Sequence, residues 1–239
     1  MTFCGLLPVL PLLIFASQMV AGNALAQPSC SSDGQRAPTA LIERFISADC
    51  DTCWRDPATI KANAGELALD WIVPTARGDD APLSAAATRD AQFRLDALNQ
   101  VAPKTTFNLR RQTFARPLPL RVARGVALGG YIGASIALTP LRGDSLPIHP
   151  MTAHLLLVEE IPAGTDGTPV ARNLVRNSLE ITWNEPGESA PQTDPRKRLY
   201  ESRPMSIPQG INPDRLRVVG WVKDVNGLVI ASAASVCAK

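Results

Sequence analysis

The sequence has few aromatic residues and almost no excess of charge. Phe, Trp and Tyr make up 5% of the 239 residues, and 24 Lys and Arg face 22 Asp and Glu, a net charge of +2. A near-neutral chain has no overall field that would hold nucleic acid, and this one also lacks the aromatic residues on which single strands stack. We therefore expect no nucleic-acid partner.

The chain also lacks the long uninterrupted stretches that helical bundles and coiled coils need. It contains 21 prolines and 16 glycines, and both residue types interrupt helices. It has no Gly-x-Ser-x-Gly element, and no Gly-x-Gly-x-x-Gly loop joins a strand to a helix. The sequence thus predicts a globular protein without a bound cofactor.

The first 26 residues are typical of a secretory signal peptide. Leu6 to Val20 are almost wholly apolar, and Ala24-Leu25-Ala26 is the small-x-small pattern that precedes signal cleavage. Residues 1–5 contain no Lys or Arg, so an uncleaved anchor and a wrongly assigned start codon remain as alternatives. We predict that residues 1–26 are removed, that no stable membrane span remains, and that the protein is periplasmic or secreted.

Removal of this segment leaves four cysteines, an even number in a compartment where disulfides persist. Cys50 and Cys53 are close enough in sequence to form a tight ring, although three pairings are possible on paper. By elimination Cys30 then pairs with Cys237, and this bond joins the start of the mature chain to its end. We expect the long-range bond to be a structural staple.

The mature chain divides into segments of different character. Residues 27–38 are a polar, flexible lead-in. Residues 39–104 predict strand, helix, strand and helix, the order of a parallel α/β unit. The helices are expected over about residues 52–65 and 85–100, the second capped by Ser84, and the strands over residues 39–46 and 67–73.

Residues 105–239 predict short strands separated by proline and glycine, including a hairpin at Asn226-Gly227. The expected strands cover residues 120–128, 131–139, 153–161, 173–183, 217–224 and 229–236. We therefore expect an α/β N-terminal unit followed by a β-rich, sandwich-like subdomain.

Cys50-Asp51-Thr52-Cys53 lies at the predicted junction of a strand and a helix, where a Cys-x-x-Cys pair is a recognisable redox arrangement. Cys50 is the candidate nucleophile and Cys53 the resolving thiol. Asp49 and Asp51 flank Cys50, and their negative charge disfavours the thiolate that exchange requires. Two interpretations remain open, a redox-active dithiol and a structural disulfide.

The segment from Phe45 to Cys53 resembles the Phe-Thr-Ser-x-x-Cys-x-x-Cys opening of a secreted bacterial thioredoxin-like family of unknown function. This resemblance implies a thioredoxin-like fold for the N-terminal half, with the β-rich subdomain appended. It also implies a proline that faces the dithiol, and Pro103 is the candidate for that position. Trp54 and Arg55 depart from the family, which usually has prolines there.

Two further groups of residues suggest weaker hypotheses. His149 and His154 have no obvious carboxylate or cysteine partner, so we expect surface or packing histidines and no metal site. Residues 104–124 contain Lys and Arg but no Asp or Glu, a pattern that favours a solvated face over a site for an anionic partner.

Two functions follow from the sequence. The first is thiol–disulfide exchange on exported proteins through Cys50 and Cys53, with thiol- or disulfide-bearing proteins as partners. The alternative is a non-catalytic binding or envelope-structural module in which Cys50 and Cys53 form a brace. The sequence leaves the oligomeric state open.

Overall fold

A computed structural model describes Met1 and residues 30–113, 115–141, 150–184 and 199–237. The predicted signal peptide beyond Met1, the beginning of the lead-in and His149 lie outside the described residues. The described part contains twelve strands and two α-helices, together with three short 3-10 turns. The strands are β1 (Cys30–Ser31), β2 (Ala40–Ser47), β3 (Glu66–Val73), β4 (Thr106–Gln112), β5 (Leu120–Leu128), β6 (Tyr131–Leu138), β7 (Met151–Ile161), β8 (Arg172–Trp183), β9 (Leu199–Ser206), β10 (Leu216–Lys223), β11 (Val229–Ala234) and β12 (Val236–Cys237), and the helices are α1 (Asp51–Trp54) and α2 (Arg89–Ala97).

These strands form two sheets. One sheet has five strands in the order β12-β1-β5-β6-β9, and the other has seven in the order β11-β10-β7-β8-β3-β2-β4. The larger sheet is mixed, because β3 runs parallel to both β2 and β8 while the other neighbours are antiparallel. Strands from the first 104 residues and strands from the second half of the chain therefore belong to one sheet.

The predicted fold class, a thioredoxin-like α/β N-terminal half with a β-rich, sandwich-like C-terminal subdomain, is wrong. The fold is β-rich throughout, because the two helices are much shorter than the sequence pattern predicts. The helix expected over residues 52–65 is a single turn, Asp51–Trp54, and the helix expected over residues 85–100 spans only Arg89–Ala97. Two such helices cannot cover a seven-stranded sheet, and the second sheet covers much of one face instead.

The hydrophobic core between the sheets is formed by side chains of β5, β6 and β9 on one side and of β7, β10 and β11 on the other. Gly220 on β10 allows the sheets to approach closely. A Cβ atom there would lie 2.8 Å from Val122 Cγ1 and 2.9 Å from Ile136 Cδ1, inside van der Waals contact. We conclude that the absence of a side chain at position 220 sets the spacing of the two sheets at this point.

The opposite face of the seven-stranded sheet packs against α2. Ala91 and Leu95 of the helix meet an apolar cluster that includes Phe45, Trp71 and Trp221. The side chain of Thr88 caps α2 by accepting a hydrogen bond from the Ala91 amide at 3.3 Å. Because both faces are covered, β2 is buried along its whole length and β3 at every residue but the first.

The long-range disulfide is present as predicted. Cys30 and Cys237 are register partners in the antiparallel pair of β1 and β12, with their Cα atoms 3.9 Å apart, and the bond spans 207 positions. Cys50 and Cys53 form the second disulfide, with Cα atoms 5.2 Å apart. The predicted hairpin at Asn226-Gly227 is also present, and Gly227 adopts the positive φ of 78° that favours glycine.

The two disulfides differ greatly in the length of chain that they close, and this difference predicts unequal contributions to stability. In the loop-entropy model, closing the long loop stabilises the fold by about 5 kcal/mol, and closing the short ring by about 2 kcal/mol. We expect the double variant Cys30→Ser/Cys237→Ser to lose more than twice as much free energy of unfolding as Cys50→Ser/Cys53→Ser. Urea denaturation of both variants measures this, and equal losses would contradict the assignment of the first bond as the staple.

Candidate functional site

The candidate site is the disulfide that follows the buried strand β2. The strand ends at Ser47, whose amide donates a hydrogen bond to the Thr105 carbonyl, and the Ala48 amide donates to the Val73 carbonyl. The chain then turns, and the Cys50 carbonyl accepts hydrogen bonds from the amides of Cys53 and Trp54 at 3.1 and 3.3 Å. Both cysteines are half-buried. The dithiol predicted from the sequence therefore lies at the surface, directly after a rigid strand.

The turn that carries the cysteines is anchored to the rest of the fold through Trp54. This side chain is buried, and its indole Nε1 donates to the Asp166 carbonyl at 2.8 Å. Arg172 Nη2 donates to the Trp54 carbonyl at 2.8 Å, and the guanidinium carbon lies 4.9 Å from the centre of the Trp54 ring. These contacts hold α1 in place independently of the disulfide.

Arg172 belongs to a buried ionic cluster beneath α1. Asp70 on β3 is fully buried, and its carboxylate accepts hydrogen bonds from Arg44 at 2.5 Å, from Arg172 at 3.1 Å and from the amide of Asn173 at 3.2 Å. Burial lowers the pKa of Arg172, and the charge of Asp70 acts in the opposite direction. Two guanidinium groups share the carboxylate of Asp70, and the charge of Asp56 also acts on Arg172.

The acidic residues beside Cys50 are paired at the surface. Asp49 accepts a hydrogen bond from the Thr75 hydroxyl at 3.1 Å and lies 3.7 Å from Arg77, and Asp51 lies 3.1 Å from Arg55. Exposed pairs of this kind contribute little to stability. They nevertheless place a positive charge next to each carboxylate, and this reduces the negative potential that the sequence alone predicts around Cys50.

Pro103 is half-buried in the segment that leads into β4. Two residues further on, Thr105 contacts Ser47 at the end of β2 through the hydrogen bond described above. The segment containing Pro103 therefore enters the sheet beside the C-terminal end of β2, and it is from this end that the chain continues to Cys50. That Pro103 faces the dithiol stays a prediction.

A second buried ionic cluster lies on the α2 face of the sheet, and the sequence analysis did not identify it. Glu43, which is 2% exposed, accepts hydrogen bonds from Arg94 Nε and Nη2, both at 2.7 Å, and from Arg111 Nη1 at 2.5 Å. The Arg94 guanidinium also lies over the Trp221 ring, 5.3 Å from its centre. The signal in the sequence is the charged pair Glu43-Arg44 inside an apolar run, where successive side chains point to opposite faces.

The basic stretch of residues 104–124 is not simply a solvated face. Arg110 pairs with Glu66, Arg121 pairs with Asp33 at 2.7 Å, and Arg111 binds Glu43. Arg124 is 6% exposed and donates to the Leu216 carbonyl at 3.0 Å. The expectation of a solvated face is therefore wrong for Arg111 and Arg124, whose charges serve internal contacts.

His154 is a buried packing residue, as the sequence analysis expects. It is 3% exposed, its ring stacks on Trp221 with centres 4.7 Å apart, and its Nδ1 lies 3.4 Å from Glu180 Oε2. Burial, followed by the charges of Arg94, Lys223 and Arg111, holds the pKa of His154 well below its ordinary value of 6.5. The imidazole is therefore neutral in the folded protein at neutral pH.

Neither a metal cluster nor a membrane-spanning helix occurs in the part of the chain that the structure describes. No group of three or more His, Cys, Asp or Glu side chains there could hold a metal ion. No helix there is long and apolar enough to cross a membrane.

Comparison with known proteins finds no matching family model and no matching curated protein. Among solved structures, the fold is distantly similar to HBP35 of Porphyromonas gingivalis, at 11% sequence identity and a TM-score of 0.47. The similarity covers 84% of this chain and 76% of that chain. A similarity at this level says nothing about the function of the present chain.

The Asp70 cluster predicts a large loss of stability when its one carboxylate is neutralised. Asp70→Asn removes the buried carboxylate that two guanidinium groups share, and we expect a loss of about 3–5 kcal/mol in the free energy of unfolding. The matched control is Asp166→Asn, since Asp166 is exposed and pairs with Arg215 at the surface. Asparagine tolerates the positive φ of 47° at this position, so the control should change stability by less than about 0.5 kcal/mol. Similar losses in both variants, measured by urea denaturation, would exclude a central role for Asp70.

The depressed pKa of His154 predicts a loss of stability in mild acid. As the pH falls through 6.5, the unfolded chain takes up a proton at this residue that the folded chain does not bind. The free energy of unfolding therefore falls, by at most about 1.4 kcal/mol per pH unit. We expect His154→Gln to lose less stability than the wild type between about pH 7 and pH 5. Parallel stability curves for the two proteins would contradict a neutral, buried His154.

Proposed function

We propose that the chain is exported to the periplasm or the cell exterior and exchanges thiols and disulfides with other exported proteins through Cys50 and Cys53. The observation that carries this proposal is the half-buried Cys50–Cys53 bond on a turn that other contacts already hold. A bond that is accessible and not needed for anchoring can open and close without dismantling its surroundings.

The exchange proceeds in two balanced steps. In the reduced protein the Cys50 thiolate attacks a disulfide of the substrate, forms a mixed disulfide and releases one substrate thiolate, which takes up a proton. The Cys53 thiolate then attacks Cys50 Sγ, which closes the Cys50–Cys53 bond and releases the second substrate thiol. Two electrons pass from the protein to the substrate, and the reverse sequence oxidises a substrate dithiol.

The charges beneath the turn support this chemistry. Arg172 Nη2 lies 3.4 Å from the Cys53 carbonyl, so its guanidinium places a positive charge beneath the turn, on which the carboxylates of Asp70 and Asp56 also act. Nearby positive charge stabilises a thiolate relative to a thiol. The reduced form of the dithiol is therefore favoured more than the acidic residues around Cys50 alone suggest.

The alternative function is a non-catalytic binding or envelope-structural module in which Cys50 and Cys53 form a brace. Asp49, Asp51 and the nearby Asp56 favour it, because negative charge opposes thiolate formation at Cys50. The contacts of Trp54 count against it, since two hydrogen bonds already position the turn in the folded protein. The two functions differ in whether substrates form mixed disulfides with Cys50.

A pair of single-cysteine variants separates them. Cys53→Ser keeps the nucleophile but removes the resolving thiol, so we expect it to accumulate mixed disulfides with exported proteins in cells. Cys50→Ser is the matched control, and we expect it to accumulate none and to reduce insulin only at the uncatalysed rate. Non-reducing electrophoresis and the insulin assay provide the two measurements.

The same experiment can overturn the proposal. A wild-type disulfide that glutathione does not reduce, together with an absence of trapped partners in Cys53→Ser, would exclude exchange. Loss of thermal stability in both variants without any change in insulin reduction would favour the brace.

A further inference from the structure

Strand β4 forms one edge of the seven-stranded sheet, and within the described ranges no other strand pairs with its outer side. Its antiparallel register with β2 continues over its whole length without a bulge. At one end of this ladder the Ser47 amide donates a hydrogen bond to the Thr105 carbonyl at 2.8 Å. At the other end the Thr113 amide donates to the Thr39 carbonyl at 3.0 Å. β4 is therefore a regular edge strand.

These two bonds establish which backbone groups of β4 face outward. Along an antiparallel pair, residues whose N–H and C=O groups face the neighbouring strand alternate with residues whose groups face away. Because Thr105 and Thr113 bond to the β2 side, the odd-numbered residues between them also face β2. The N–H and C=O groups of the even-numbered residues point out of the sheet, and all four of these residues are exposed. We call them the outward-facing residues, and they are Thr106, Asn108, Arg110 and Gln112.

Among the edge strands that the structure describes, β4 alone lacks the usual protection against pairing with another chain. β9 contains Pro204, a residue that natural edge strands use for this purpose, and β12 has two residues. The outer side of β11 is occupied in part, because the Ile230 carbonyl accepts a hydrogen bond from the Leu118 amide at 2.9 Å. β4 has seven residues, with neither a proline nor a bulge. An open edge of this kind can pair with an extended chain.

Charged side chains also protect edge strands, but the two in β4 are engaged elsewhere. Arg110 pairs with Glu66 on β3, and Arg111 binds Glu43 on β2 at 2.5 Å. Because successive side chains of a strand point to opposite faces, the two guanidinium groups reach inward over opposite faces of the sheet. Lys104 lies ahead of the strand. Neither charge of β4 therefore guards the backbone groups at its outer side.

The open edge begins close to the candidate site. β4 starts beside the C-terminal end of β2, and Cys50 follows Ser47, the last residue of β2, by three positions. A strand added to β4 would lie about 10 Å from β2, since neighbouring strands are about 4.8 Å apart. Three extended residues span about the same distance. A cysteine about three residues beyond the paired segment can therefore reach Cys50.

We propose that the free edge of β4 binds an extended segment of a substrate polypeptide, which adds a strand to the sheet and brings its cysteine to Cys50. The identity of this occupant rests on the proposed function, whereas the binding of an extended chain rests on the edge alone. Recognition through backbone groups depends little on the sequence of the bound segment. The site therefore selects unfolded or partly folded exported proteins, because a folded protein keeps its own strands paired.

Hydrogen exchange of individual amides tests the edge on the intact protein with both disulfides formed. The probe is oxidised insulin B chain, whose cysteines are converted to cysteic acid and cannot exchange. When the peptide fills about nine-tenths of the sites, we expect the amides of the outward-facing residues to exchange about tenfold more slowly, because exchange then occurs from the free fraction. The amides of the intervening residues already bond to β2 and should change little. This alternation is the signature of an added strand.

Two substitutions at one position separate the backbone from the side chain. Asn108→Pro removes an N–H group from the free edge and spares the bonds to β2, and edge strands tolerate proline at such positions. We expect it to weaken binding of the B chain by about tenfold, which corresponds to about 1.4 kcal/mol. Asn108→Ala keeps the backbone N–H and should leave the affinity unchanged. If Asn108→Pro does not fold, the alternation of amide protection in the wild type decides.

A comparison of two disulfide substrates separates the edge from the exchange reaction. We expect Asn108→Pro to slow the reduction of insulin and to leave the reduction of hydroxyethyl disulfide unchanged, because that small molecule has no backbone to pair. Equal slowing of both reactions would overturn a role of the edge in substrate binding. If the wild type reduces neither substrate but shows the alternating protection, the edge binds peptides and the occupant is not an exchange substrate.

Three results of the exchange experiment contradict an added strand. The first is the absence of protection at the highest soluble concentration of the B chain. The second is equal protection of outward-facing and intervening residues, which would indicate binding elsewhere. The third is protection of the outward-facing residues without peptide that increases with protein concentration, which would assign the edge to a second copy of this chain.

Discussion

The burial of one carboxylate, that of Asp70, is the constraint on which the centre of the fold depends. A charge removed from water needs partners on every side, and Asp70 obtains them from Arg44 on β2 and from Arg172 and Asn173 on β8. These contacts specify that β2 and β8 lie on either side of β3. Arg172 then extends the network to Trp54, so the position of the cysteine turn follows from the same buried charge.

Much of the strand content can be predicted from the sequence, but the fold class cannot. β2 and β3 are mostly apolar runs, and the long strands after residue 119 are separated by clear turn residues, so their positions agree with the predictions within a few residues. β4 and β9 escape prediction because they are edge strands, largely polar, and β9 contains Pro204. The fold class depends on how far the helices extend, and here local signals mislead: Ser84 begins a 3-10 turn, while Thr88 caps the helix four residues later.

The candidate site shows the same division between local and distant information. The spacing of Cys50 and Cys53 and their place after a strand follow from nine consecutive residues, whereas the residue that anchors their turn, Arg172, lies 118 positions beyond Trp54. Glu43 and Arg94, 51 positions apart, are a comparable case on the other face. In the sequence each charged residue stands far from its partner, and only the order of the strands and helices brings the two together.

The bond between Cys30 and Cys237 closes all the described strands into one covalent ring. A force applied across Cys30 and Cys237 is carried by the disulfide, and the sheets between them bear almost none of it. The ring also fixes an order of assembly. β1 lies between β5 and β12, and Cys237 of β12 lies 207 positions beyond Cys30 of β1, so β1 must wait for that length of chain before its second neighbour exists. Completion of the five-stranded sheet is thus a late event by construction, and the disulfide makes that last step permanent.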